Sequence, residues 1–116
     1  MNKRSFRQGD IYLHPVGEIP DGAEEVKREQ GAAVLAYGES HGHRHQVARG
    51  AKLFARGATR FLEVSAKGGA LLTVTDDRGA ALAEVRHEEI RIPTGPYEVT
   101  QQIEWTAADE ARQVQD

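Results

Sequence analysis

Cysteine is absent from the 116-residue sequence, which excludes disulfide bonds, cysteine-bound zinc and thiol catalysis together. Long hydrophobic runs are absent too, since no stretch approaches the ~18 apolar residues of a membrane-spanning helix. No hydrophobic segment of the signal-peptide type follows the basic N-terminal residues. We therefore expect a soluble, cytoplasmic protein without a membrane partner.

A strong charge of one sign is also missing. The 15 basic and 18 acidic residues give a net charge of −3. Because a dedicated duplex-DNA-binding protein needs a basic surface, we do not expect duplex DNA as a partner. No Gly-x-x-x-x-Gly-Lys-Ser/Thr loop is present, which argues against hydrolysis of nucleoside triphosphates.

Short apolar or alternating segments, separated by glycine and proline turns, are what the sequence does contain. The clearest strand has Tyr97, Val99, Ile103 and Trp105 on one face, with Gln101 as the one polar residue of that face. We expect Gln101 to reach a partner or to lie at an open end. Turn signals every 8–12 residues predict about eight short strands, and hence an all-β fold, either a small barrel or a sandwich.

The two ends of the chain carry separate expectations. Residues 1–8 are rich in basic side chains and predict a flexible arm. The segment from Thr106 to Asp109 resembles a helix-capping box, which predicts a short C-terminal helix over residues 107–114. A chain of this length is expected to form one domain over residues 1–116.

Three histidines lie in residues 38–45, whose sequence is GESHGHRH. In an extended chain His41, His43 and His45 project to one face, and Arg44 projects to the other. Gly42 permits a bend after His41, so His43 and His45 are the firmest pair. Imidazole is the commonest metal ligand in proteins. The segment therefore predicts a metal site.

His87 is the fourth histidine of interest, because strands distant in sequence become neighbours in a small β fold. His43, His45 and His87 would supply three nitrogen ligands and leave one coordination position open, as in catalytic metal sites. His41 and Glu89 are reserve ligands. Zinc, iron, manganese and nickel all accept such a set, and residue types alone do not rank them.

Three functions stay open at this point. The first is a metal-dependent enzyme or binding protein acting on a small molecule. The second is a metal-independent ribonuclease or phosphodiesterase, in which His43, His45 or His87 act as general acid and base on RNA. The third is a non-enzymatic accessory protein whose histidines tune a partner interface. Exposed edge strands also favour a homodimer.

The motifs resemble those of the cupin superfamily of small β-barrels. Gly38 followed by His43-Arg44-His45 is similar to the first cupin motif, and Pro93-Thr94-Gly95 to the Pro-x-Gly turn of the second. Two departures are that no carboxylate follows His45 within residues 46–50, and that Glu98 stands where a histidine is expected. The overall spacing is also similar to a family of small uncharacterised bacterial and phage-associated proteins, which implies no activity.

Overall fold

A computed structural model of the chain describes residues 4–37, 44–75 and 89–102. Within these ranges the chain forms ten β-strands and no helix. The strands are β1 (Phe6–Gln8), β2 (Ile11–Pro15), β3 (Glu24–Glu25), β4 (Ala33–Tyr37), β5 (Arg44–Val47), β6 (Ala51–Arg56), β7 (Thr59–Val64), β8 (Ala70–Thr75), β9 (Ile90–Ile92) and β10 (Gly95–Gln101).

The ten strands form two antiparallel sheets. One sheet has six strands in the order β1-β2-β10-β7-β6-β3, and the other has four in the order β4-β5-β8-β9. The sheets enclose one hydrophobic core, whose fully buried members include Ile11, Leu13 and Leu62 of the first sheet and Leu35, Val47, Leu72 and Ile92 of the second. The predicted all-β fold is thus confirmed, and the described strands form a sandwich rather than a closed barrel.

Strand β10 shows how the sequence places its residues in this sandwich. Tyr97 and Val99 are buried in the core, whereas Glu98 between them and Thr100 after them are half-exposed. This alternation is the period of two expected when one face of a sheet is covered. Burying each large apolar side chain stabilises the fold by about 1.5–3 kcal/mol. The predicted strand is therefore present as far as Gln101, and Ile103 and Trp105 lie outside the described residues.

Two hairpins have two-residue turns that begin with glycine. Gly9 links β1 to β2 with φ +59°, and Gly57 links β6 to β7 with φ +62°. A positive φ at the first turn position is typical of the type II′ turn, whose twist matches that of the flanking strands. The first of these turns also places Asp10 at one end of the sandwich.

The structure describes only part of the two chain ends. Phe6–Gln8 is not a flexible arm, because it pairs with β2 as strand β1. The predicted helix over residues 107–114 lies outside the described residues. Residues 76–88 also lie outside the described residues, and strand β9 begins at Ile90. In the part of the chain that the structure describes, no helix is long and apolar enough to cross a membrane.

Candidate functional site

Only two of the five predicted site residues, His45 and Glu89, lie among the residues that the structure describes. His45 lies in β5, and Glu89 immediately precedes β9. His41, His43 and His87 lie outside the described residues, so their place in a common site stays a prediction. His45 is therefore the centre of the described part of the site.

His45 lies inside the sandwich, with only 3% of its surface exposed. It pairs with Val74 of β8 on one side and with Ala36 of β4 on the other. The register of β4 shifts between Val34 and Ala36, so that Leu35 is an extra residue in that strand. Such a bulge bends its strand locally. Arg44 lies on the opposite face of β5, as the two-residue alternation predicts.

The imidazole of His45 is oriented by Gln8 of β1. The Nδ1 atom of His45 lies 2.9 Å from Oε1 of Gln8, and Nε2 of Gln8 donates a hydrogen bond of 2.9 Å to the carbonyl of Leu72. Since the amide nitrogen of Gln8 is the group that donates to Leu72, its amide oxygen faces the ring and accepts from Nδ1–H. This network assigns the proton of the neutral ring to Nδ1 and the lone pair to Nε2.

Asp10 faces that second nitrogen from the β1–β2 turn. Its Oδ1 lies 3.7 Å from Nε2 of His45, and its Oδ2 accepts a hydrogen bond of 2.9 Å from Nε2 of Gln101. The backbone carbonyl of Asp10 accepts from the amide of Gln102 at 2.8 Å. The Asp10 side chain is 28% exposed and that of His45 only 4%, so the pair opens to solvent at the carboxylate.

The chemistry of this pair follows from its two facing atoms. A neutral imidazole nitrogen and a carboxylate oxygen are both hydrogen-bond acceptors, so they attract each other only through a cation, either a proton or a metal ion. Two ligands at ~2.0–2.2 Å from a metal lie about 3.0–3.4 Å apart at octahedral to tetrahedral angles. The 3.7 Å separation between His45 and Asp10 exceeds this by only a few tenths of an ångström.

A complete metal site needs more ligands than these two. No group of three His, Cys, Asp or Glu side chains that could hold a metal ion occurs among the described residues. Glu89 is exposed, and by alternation it shares the phase of the exposed Arg91 rather than that of the core residue Ile92. His45 faces the core, whereas Glu89 has the phase of the exposed residues. The position of Glu89 therefore does not support its role as a metal ligand, and that role stays a prediction.

Asp10 and Gln8 are the site residues that the sequence did not suggest. The two-residue turn at Gly9 is recognisable from sequence, but nothing local shows that it closes over β5 of the other sheet. The one useful signal was Gln101, a polar residue on an apolar face that was expected to reach a partner or to lie at an open end. Its partner is the carboxylate of Asp10.

Residues 38–42, GESHG, also match the Gly-x-Ser-x-Gly pattern of serine hydrolases. That pattern carries its chemistry on a turn between a strand and a helix. Here the five residues lie outside the described ranges, and the chain continues into strand β5 at Arg44 rather than into a helix. The context therefore does not support a nucleophilic serine.

The fold and the site define a small two-sheet β-sandwich in which a buried histidine faces a partly exposed aspartate at one end. The chain belongs to the family of a domain of unknown function, DUF8820, whose family model matches residues 7–102. The matched range includes Gln8, Asp10, His45 and Gln101. No curated protein and no solved structure matches the chain. The expectation of an uncharacterised family is confirmed, whereas the cupin resemblance still depends on the sequence motifs alone.

Proposed function

We propose that this domain binds a divalent metal ion at the end of the sandwich, with Nε2 of His45 and a carboxylate oxygen of Asp10 as two of the ligands. The observation that carries the proposal is that these two atoms face each other at 3.7 Å. A metal ion between them would be coordinated by both atoms.

The groups around the pair support this assignment. Ligating histidines usually donate their other ring N–H to an oxygen, and ligating carboxylates are in turn held by donors. Gln8 accepts from Nδ1 of His45, and Gln101 donates to the remaining oxygen of Asp10. These contacts, which resemble the usual support of metal ligands, favour the assignment of His45 and Asp10 as ligands.

The remaining ligands of the proposed site are His43 and His87, with His41 and Glu89 in reserve. In the cupin motif a carboxylate follows the second histidine, and this chain has none there. Asp10 would supply that carboxylate from the β1–β2 turn. Three imidazoles and one carboxylate suit zinc, iron(II), manganese or nickel.

The exposed side of Asp10 gives the proposed centre its access to solvent. A small molecule with an oxygen or nitrogen donor would enter there and occupy an open coordination position. We accordingly propose a metal-dependent enzyme or binding protein for a small molecule. A cytoplasmic location and a homodimer are the matching expectations from sequence.

Metal analysis of untagged protein tests the proposal. We expect a stoichiometric divalent metal in the unmodified chain and its loss in His45→Ala and Asp10→Ala. His14→Ala is the matched control, because His14 hydrogen-bonds to Thr100 and Ser5 rather than to the pair. A metal-free unmodified protein after growth and dialysis with each candidate metal would refute the proposal, as would full retention in both alanine variants.

The same pair favours one second candidate, a metal-independent acid–base function. A proton between Nε2 of His45 and Asp10 would give an imidazolium–carboxylate pair, and such an imidazolium is a general acid. RNA cleavage that persists in chelator and is lost in His45→Ala would establish this ribonuclease function. If no RNA cleavage occurs under any condition, the ribonuclease function is excluded, and the metal-dependent function and the accessory role remain.

A further inference from the structure

An open groove lies on the outer face of the four-stranded sheet, on the side opposite to His45. Its volume is about 550 Å³, and small-molecule sites typically have volumes of ~300–1,000 Å³. Thr73 and Leu71 of β8 and Arg91 of β9 line the groove. Thr73 pairs with Gln46, and Leu71 pairs with Arg91, so these side chains share the face that points away from the core. The groove is therefore distinct from the proposed metal centre.

Two turns form the walls of this groove. The β5–β6 turn contributes Ala48 and Arg49, and the β7–β8 turn contributes Ala66. The amides of Ser65 and Ala66 donate hydrogen bonds of 2.9 and 3.1 Å to the carbonyl of Gly50, which ties the two turns together. Most of the wall residues are glycine or alanine, and their short side chains leave the space between the turns open. The backbone therefore holds the groove in shape.

Two arginines give the groove a positive charge. Arg49 and Arg91 are both exposed, and Nη1 of Arg91 donates a hydrogen bond of 3.2 Å to the carbonyl of Gly68. Among the described residues, no carboxylate lines the groove and neither arginine forms an ion pair. A guanidinium group binds a carboxylate or a phosphate through paired N–H donors. The groove is therefore complementary to an oxyanion.

Leu71 adds an apolar surface next to this charge. Its side chain is 38% exposed, and the one other exposed large hydrophobic residue in the described part of the chain is Tyr37. Side chains that are directly opposite each other on neighbouring strands have Cβ atoms about 4.5–5.5 Å apart, and Leu71 is opposite Arg91. Covering an exposed leucine with an apolar group is favourable. A ligand that joins an oxyanion to a short apolar body would therefore contact both side chains at once.

We propose that the groove binds a small organic oxyanion with a short apolar body, either a carboxylate or a phosphate monoester. The oxyanion would accept hydrogen bonds from the guanidinium groups of Arg49 and Arg91. The apolar body would cover Leu71 and Ala48. This binding does not depend on the proposed metal centre, because none of the groove residues is a proposed ligand of the metal.

Calorimetric titration with five probes tests the proposal: hexanoate, hexyl phosphate, hexanol, acetate and inorganic phosphate. We expect at least one of the two alkyl anions to bind about 5-fold or more tightly than hexanol, which lacks the charge. The same probe should exceed its counterpart without the alkyl chain, acetate or inorganic phosphate, by a similar factor. The tighter of the two alkyl anions identifies the oxyanion as carboxylate or phosphate.

Three results would overturn the proposal. If hexanol binds as tightly as both alkyl anions, the arginines do not recognise the ligand. If acetate and inorganic phosphate bind as tightly as their alkyl forms, the apolar wall takes no part. If none of the five probes shows saturable binding, the groove is not a site for this class of ligand.

Variants of the lining residues assign the binding to the groove. Arg49→Gln and Arg91→Gln should each weaken the tighter alkyl anion about 5-fold or more, and Leu71→Thr about 3-fold or more. Arg56→Gln, in β6 of the other sheet, is the matched control and should leave the affinity unchanged. Because the substituted side chains are exposed, all four variants should unfold at about the temperature of the unmodified chain. Unchanged affinity in either variant of the two groove arginines would refute the assignment, and so would an equal loss in Arg56→Gln.

Discussion

The Nε2 atom of His45 lies 3.7 Å from a carboxylate oxygen of Asp10, although the two residues belong to different sheets. Asp10 comes from the turn of the six-stranded sheet, and His45 from a central strand of the four-stranded one. Gln8 accepts a hydrogen bond from the other ring nitrogen of His45, and Gln101 donates one to the other carboxylate oxygen of Asp10. The contact therefore depends on how the two sheets pack at this end.

Gln101 is predicted to act as a positioning residue for Asp10. Gln101→Leu removes the donor to Oδ2, so divalent-metal affinity should fall about 10–100-fold. Gln102→Leu is the matched control, because its side chain accepts from the hydroxyl of Tyr12 rather than binding Asp10. Competition with a fluorescent chelator measures both affinities. Equal affinities in the two variants would show that Oδ2 needs no such support.

Gln8 is predicted to contribute to stability even without metal. Gln8→Leu leaves the Leu72 carbonyl and Nδ1 of His45 without the hydrogen bonds that Gln8 makes to them. Each buried group left without its partner costs about 1–3 kcal/mol. Urea unfolding in chelator should therefore show a loss of at least ~1 kcal/mol. An unchanged free energy of unfolding would contradict the described network.

Two glycine substitutions separate backbone strain from steric clash. Gly57 and Gly69 have φ of +62° and +85°, but a Cβ on Gly57 meets nothing within 4 Å, whereas one on Gly69 lies 2.5 Å from the carbonyl oxygen of Ile92. Gly57→Ala should cost about 1–2 kcal/mol. Gly69→Ala should cost about 1–3 kcal/mol more. Equal losses of stability in the two variants, measured by thermal unfolding, would show that the backbone near Gly69 and Ile92 shifts to relieve the clash at little cost.

Tyr97 predicts a loss of stability at high pH. Burial raises the pKa of its hydroxyl above the ordinary value of 10.0. The folded state therefore holds its proton more tightly than the unfolded state, and this contribution is complete below pH 10 and declines as pH rises through the folded pKa.

Comparison of Tyr97→Phe with the unmodified chain tests that linkage. The variant loses the hydrogen bond to the Pro93 carbonyl, at 2.8 Å, so it should be about 0.5–1.5 kcal/mol less stable at pH 8. The difference in the free energy of unfolding between the two proteins should narrow at pH 11. At that pH, Tyr97 ionises in the unfolded state of the unmodified chain and lowers its stability, whereas the phenylalanine in the variant cannot ionise. A gap that is constant from pH 8 to pH 11 would contradict the assignment.

The parts of the fold that sequence predicted are those with local signals. The alternation of Tyr97 and Val99 was sufficient to predict a strand. The continuous apolar run in β4 shows no alternation, so the bulge at Leu35 was not visible. Phe6–Gln8 carries a charged arginine at its centre and was expected to fray, but it pairs with β2.

The candidate site was predicted only in part, for a related reason. Regular spacing identified His45 as a residue of interest and placed Arg44 on the other face of its strand. Asp10 and Gln8 reach His45 through the packing of one sheet on another, and no pattern within either segment specifies that contact. Gln101 was expected to reach a partner or to lie at an open end, and nothing in the sequence identified Asp10 as that partner.

The most direct measurement is the ¹⁵N chemical shift of the His45 ring nitrogens during titration of the untagged protein with zinc. Coordination by Nε2 should move that resonance to the position of a metal-bound nitrogen at one equivalent, while Nδ1 stays protonated against Gln8. Asp10→Asn should require a higher zinc concentration for the same change. A His45 ring whose two nitrogens keep their shifts at saturating zinc would contradict the proposed metal centre.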